Sequence, residues 1–321
     1  MHRVTELFES FWFKCVLSVG LLSLVLLRKT DLPELGTAVA RARMVWVLVA
    51  FVGYLGSQVL SVVRWRMLAR PLGFTASFGR YFVCYFSGMY MNLFAPSTVA
   101  GDIGRALFLA GGEKRKTLAF TSVIADRALG FVALVWVGAI AILVQPAYPV
   151  PRLLYYGAWI VPPGTLLGWL WGPQLVVQLL PPANRWRVLV EQEIAAYWND
   201  WPLLIRTTVL AMFFHVVQVA TQVVLGWALN IQAPASFFLI FVPVVNILGM
   251  LPISFSGVGV REGGYVVALT SIGVDRELAV ALGLLGSAVA LATGVASGLV
   301  FVINKTPAPI PDRGEIATSD S

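Results

Sequence analysis

Asn92-Leu93-Phe94-Ala95-Pro96-Ser97-Thr98-Val99-Ala100-Gly101-Asp102-Ile103-Gly104-Arg105 breaks one apolar run of the chain. Asn246-Ile247-Leu248-Gly249-Met250-Leu251-Pro252-Ile253-Ser254-Phe255-Ser256-Gly257-Val258-Gly259-Val260-Arg261-Glu262 breaks another in the same way. Each leads from an Asn through apolar residues to Pro and Ser, then to glycines, then to an acid and an arginine. Breaking a helix inside a bilayer is costly, because the freed backbone groups find no water in hydrocarbon and must meet protein or an aqueous cavity. Two such breaks therefore mark a site.

That the runs lie in a bilayer follows from composition. The chain has 321 residues, of which 58% are hydrophobic and only 12% charged, and its mean hydropathy is +0.81. This is too apolar for a soluble domain of that length. No charged block is long enough to fold as a separate catalytic domain, so residues 1–304 are expected to form one polytopic membrane domain. The net charge of +7 fits a plasma-membrane protein of a bacterium or archaeon whose cytoplasmic loops collect Lys and Arg, and does not call for nucleic acid. Cys15 and Cys84 both sit in apolar runs, where burial is the ordinary role, and two cysteines make no metal site by themselves.

Outward from the breaks, apolar runs at residues 11–27, 44–63, 118–144, 153–171, 203–229 and 278–303 are each long enough to cross. The first run has a basic start and is followed by Ala38-Val39-Ala40. That triplet lies beyond a charged stretch, so an uncleaved span is expected rather than a signal peptide. Arg64-Trp65-Arg66 reads as the interfacial end of the second span. Pro162-Pro163-Gly164 predicts a kink in the fourth. Residues 172–202 interleave charges with Trp186, Tyr197, Trp198 and Trp201, a pattern for a helix lying in the interface. The tail at 305–321 reads as disordered. Residues 106–110 are too short a run to cross, so the segment at 78–110 is expected to enter, turn near 96–102 and return. The segment at 237–268 is expected to do the same from the opposite face. The architecture is thus an all-α integral membrane protein of six full transmembrane helices plus two opposed re-entrant helical hairpins, with inverted-repeat character. With both termini cytoplasmic, most basic residues fall inside, and only the linker at 28–43 violates the rule.

Arg64-Trp65-Arg66, the run from Ala95 to Ala106, Ala125-Asp126-Arg127 with Gly130, and Pro252 with Gly257-Val258-Gly259-Val260-Arg261-Glu262 together resemble the flippase-like family. That family is also named for the transmembrane region of lysylphosphatidylglycerol synthase. The likeness runs over roughly residues 17–303. The usual Gly-Gly-Asp reads Ala100-Gly101-Asp102 here, and the frequent Glu-Arg pair reads Asp126-Arg127, which leaves the lipid open. The resemblance implies the translocating portion without the aminoacyl-transferring domain.

Asp102, Arg105, Asp126, Arg127, Arg261 and Glu262 are three acids and three arginines at membrane depth, where ionisable groups face a cavity or one another. In one reading they pair off and hold the hairpins to the middle span. In the other the arginines receive a lipid phosphate, whose geometry a guanidinium matches, and the acids orient them. The two are compatible. Asp102 and Arg105 share a face if their arm is helical. Asn92, Pro96, Ser97, Gly101, Gly257 and Gly259 complete the candidate binding set, with Gly104 beside them; the glycines would let backbone N–H groups approach an anion, or would serve the turn alone. His215, Gln218 and Gln222 share a helix face with Thr208, either as a helix contact or as a cavity wall. No catalytic or metal-ligating constellation is present, and no cofactor is expected. The expected ligand is an anionic phospholipid or a polyprenyl-phosphate-linked lipid. The alternatives are an accessory subunit of an envelope-biosynthesis enzyme, and a lipid-linked transferase using Asp31 and Glu34 or His215.

Overall fold

The computed structural model describes residues 30–94, 99–112, 115–145, 150–181, 195–198, 200–250 and 257–304, with a few isolated positions besides. The expected first span, Pro96, Ser97, Pro252 and the tail lie outside the described residues, as does most of the expected interfacial helix. Eleven helices are described: α1 (Leu32–Ala40), α2 (Met44–Ala69), α3 (Phe78–Met91), α4 (Val99–Ala110), α5 (Lys116–Val144), α6 (Arg152–Leu179), α7 (Ala195–Trp198), α8 (Trp201–Ala228), α9 (Ala235–Met250), α10 (Val260–Thr270) and α11 (Arg276–Ile303).

Local chemistry sets several starts. Asp31 Oδ1 accepts the Glu34 amide at 3.1 Å and Pro33 fills the first turn, so the linker expected before the second span holds a short helix instead. Asp200 caps α8 at Leu203 in the same way, at 3.0 Å, again with a proline in the first turn. Among the described residues four helices, α2, α5, α8 and α11, are long and apolar enough to cross a membrane. Helix α6 is one continuous helix of 28 residues, extending past the expected end at 171. It is not among the four, its apolar residues being diluted by Trp, Tyr, Gly and Pro.

The helices fall into two halves of the same make-up: long, short, short, long. The first is α2 to α5 and the second α8 to α11. Their packing is reciprocal. The leading helices α2 and α8 lie against each other, α3 packs on α11 as α9 packs on α5, and α5 packs on α8 as α11 packs on α2. Within the halves, α3 meets α4 as α9 meets α10, and α4 meets α5 as α10 meets α11. Even the flanking pieces correspond: α6, which precedes the second half, packs on α5, and α1, which precedes the first, packs on α11. Exchanging the halves reproduces these contacts, which is the packing expected of an internal repeat.

The short pairs are close because glycines let them be. A Cβ at Gly101 on α4 would collide with the Gly88 carbonyl oxygen of α3 and with the Asn92 amide. Seats of the same kind join the halves: Leu93 fills the space left by Gly294 and Tyr90 that left by Gly298, while Pro243 of α9 sits against Gly138 of α5. Small residues are the usual means of close helix approach where lipid competes with side chains for the same surface.

Candidate functional site

Helix α4 begins at Val99, so Asp102 stands in its first turn rather than in the loop, and the break is shorter than the sequence suggests. Being helical, this arm places Asp102 and Arg105 on one face, and they pair at 3.0 Å. Arg105 reaches past Asp102 to Asp126 of α5, also at 3.0 Å. Asp126 in turn accepts Arg64 Nε of α2 at 2.7 Å. At the other end, Arg127 Nε and Nη2 clasp the two Asp102 oxygens at 2.8 and 3.0 Å. The result is a continuous chain, Arg64–Asp126–Arg105–Asp102–Arg127, tying α2, α4 and α5 together.

Three of its members are buried: Arg64 is 5% exposed, Arg105 3% and Asp126 2%. The Arg127 side chain is 48% exposed. Two faces of aromatic ring support Arg105, Trp65 at 4.9 Å and Tyr85 at 5.1 Å from the ring centres, an arrangement suited to a desolvated guanidinium. The chain holds three cations and two anions, so it carries one positive charge beyond balance. Arg64 Nη1 is buried without a hydrogen-bond partner among the described residues.

Arg64 is the member that the sequence reading misplaces. Arg64-Trp65-Arg66 was expected at the bilayer interface as the end of a span, but α2 continues to Ala69, and Trp65 is fully buried, donating its indole N–H to Ser122 Oγ at 3.1 Å. The signal was present as periodicity: Ser57, Ser61 and Arg64 share one face of a helix.

The second hairpin does not join this chain. Glu262 is 1% exposed, and its carboxylate closes its own helix by accepting the Gly259 amide at 2.7 Å and the Ser287 hydroxyl of α11 at 3.0 Å. Gly257 and Gly259 have φ of +81° and +83°, so they are glycines because of the turn. Arg261 folds back over Gly249 and Gly257 and forms no ion pair with a described residue, its Nε being buried and unpartnered. In the first hairpin Gly101 and Gly104 serve packing: the Gly101 amide donates to Asn92 Oδ1 at 2.7 Å, and the space beside Gly104 is taken by Met91 Sδ. Asn92 thus braces the hairpin.

Between the halves lies a neutral polar seam. Gln218 of α8 donates to Ser57 Oγ of α2 at 2.7 Å, and His215 bonds the Gly130 carbonyl of α5 at 2.8 Å. The face of His215, Gln218 and Gln222 is therefore a helix contact along part of its length. Asp31, proposed above as a catalytic acid, is occupied in capping α1.

The family described as the lysylphosphatidylglycerol synthase TM region matches residues 11–298. A stretch of 86 residues is 31% identical to the UPF0104 membrane protein MJ1595 of Methanocaldococcus jannaschii and covers 26% of each chain, so the match spans about a quarter of that relative's length. No solved structure matches the chain. With almost its whole length matched, helices and both hairpins included, the chain belongs to the lysylphosphatidylglycerol synthase transmembrane-region family of membrane proteins.

Proposed function

We propose that this protein translocates the head group of an anionic phospholipid or polyprenyl-phosphate-linked lipid across the membrane, making and breaking no covalent bond. The observation that carries the reading is the five-residue ion chain. It is buried among long apolar helices, carries one cation beyond balance, and ends at the half-exposed Arg127. Ionisable groups at that depth are expensive, and a surplus guanidinium there is matched by a ligand that brings a phosphate. In this reading the pairs α3–α4 and α9–α10 are re-entrant hairpins. Helices α4 and α10 have 12 and 11 residues, or roughly 17–18 Å at about 1.5 Å per residue, against a hydrocarbon core of about 30 Å. In this reading the two hairpins enter from opposite faces, with the termini on the cytoplasmic side of a plasma membrane.

The test is transport itself. The purified chain is reconstituted in phosphatidylcholine vesicles carrying a fluorescent phosphatidylglycerol in the inner leaflet, and a membrane-impermeant quencher is added outside. Protein-dependent quenching beyond the outer-leaflet fraction is expected, and R127Q is expected to slow it at least tenfold. Equal rates with and without protein would remove the proposal.

A further inference from the structure

We propose that a phosphate-type anion is also seated at the second hairpin, on Arg261, whose counterpart Arg105 in the first hairpin is already paired within the ion chain. The inference rests on the reading that the protein binds an anionic lipid, and it names a further residue that does so. Its basis is the comparison of two halves that pack alike but are charged differently.

Arg105 lies four residues after Gly101, and Arg261 lies four residues after Gly257, each on the second arm of its hairpin. In the first half the arginine is answered twice, by Asp102 three residues earlier and by Asp126 from the long helix behind. In the second half both answers are missing. The position three residues before Arg261 is Val258. Asp126 is the eleventh residue of α5, and the eleventh residue of α11 is Gly286. The space a side chain would take at Gly286 is filled by the Gln222 amide of α8, 3.0 Å from where a Cβ would stand. Gln222 Oε1 is itself buried and has no partner among the described residues.

Glu262 does not take over the role of counter-ion, because its two oxygens are committed to the Gly259 amide and to Ser287. Among the described residues, Tyr54 of α2 and Tyr265 of α10 interact electrostatically with the Arg261 guanidinium, and Gly249 and Gly257 lie against it. A partly buried cation whose Nε has no partner among the described residues, and which has Val and Gly where its counterpart has two acids, is suited to an anion from outside. A monoanionic phosphodiester satisfies one guanidinium and leaves hydroxyl and amide groups to bind its remaining oxygens.

The full chain in phosphatidylcholine nanodiscs tests this, with binding of fluorescent phosphatidylglycerol as the readout and inorganic phosphate as competitor. R261Q is expected to weaken binding at least tenfold. V258D, which gives Arg261 the kind of neighbour Asp102 gives Arg105, is expected to do the same and serves if R261Q does not fold. R187Q, in the separate ion pair of Arg187 with Glu191, is expected to change affinity less than threefold. Competition by inorganic phosphate assigns the seat to the phosphate group alone, and its absence assigns it to the intact lipid head group. If R261Q and V258D both fold and bind within twofold of the unaltered chain while R127Q loses binding, the seat is at the first hairpin and this inference is wrong, although lipid binding stands. If the unaltered chain does not prefer phosphatidylglycerol to phosphatidylcholine, the lipid-binding reading itself fails, and the inference with it.

Discussion

Replacing Asp126 by Asn removes the charge that joins Arg64 to Arg105 in the ion chain while keeping shape and volume nearly constant. Asp126 accepts from Arg64 at 2.7 Å and from Arg105 at 3.0 Å, and all three residues are buried. With the carboxylate gone, two desolvated guanidinium groups face each other across a neutral amide that can accept from one and must turn its own N–H groups toward the other. Breaking a buried pair by removing one partner costs about 3–5 kcal/mol, chiefly from the uncompensated charge left behind. At about 2 °C per kcal/mol for a chain of this size, the melting midpoint should fall by roughly 6–10 °C. The measurement is thermal denaturation of the purified protein in detergent, followed by loss of the monodisperse gel-filtration peak. Arg64→Gln in the same background should cost much less than it does alone, since D126N has already broken its bond. A midpoint within 2 °C of the unaltered protein, or additive losses in the double variant, would refute the view that this chain holds α2, α4 and α5 together.

Two other outcomes are expected. Gly101→Ala drives a methyl group into the Gly88 carbonyl and the Asn92 amide that braces the hairpin, and should cost about 1–3 kcal/mol as overpacking; an unchanged melting midpoint would show that the arms separate freely. Cysteines placed singly at Gln145 and Asp275, at the end of α5 and the start of α11, should both react with an impermeant reagent added outside intact cells, and labelling only after permeabilisation would overturn the opposed entry of the hairpins.

The long helices were legible because each is an apolar run bounded by charge or turn residues, and the two short pairs were legible because their runs are interrupted by Pro and Gly. Asp102, Arg105, Asp126 and Arg127 could be nominated for a related reason: an ionisable group inside an apolar run is conspicuous in one dimension. Arg64 could not, because it lies near the end of its run, where Arg and Trp are also what a lipid interface selects. Only the burial of Trp65 and the bond to Asp126 distinguish an interior arginine from a boundary one. Helix α1 was missed although Asp31-Leu32-Pro33-Glu34 is a start signal, because its charges read as linker. The separate fate of Arg261 and Glu262 was hidden for another reason: charge counting paired them with the other four residues, whereas the turn geometry at Gly259 keeps the carboxylate for the helix end.

The ion pairs among Arg64, Asp102, Arg105, Asp126 and Arg127 all lie within the first half, whereas the Gln218–Ser57 and His215–Gly130 bonds between the halves are neutral. In hydrocarbon such a bond between helices is worth on average about 0.6 kcal/mol, and no hydrophobic force presses the surfaces together. Bending the first half therefore means opening charge pairs that cost several kcal/mol each, while sliding one half past the other means exchanging hydrogen bonds that are nearly equivalent before and after. The polar ties are thus strongest inside the first half and weakest along the line where Ser57 meets Gln218, so the halves are held to each other by shape, through the small-residue seats, more than by charge.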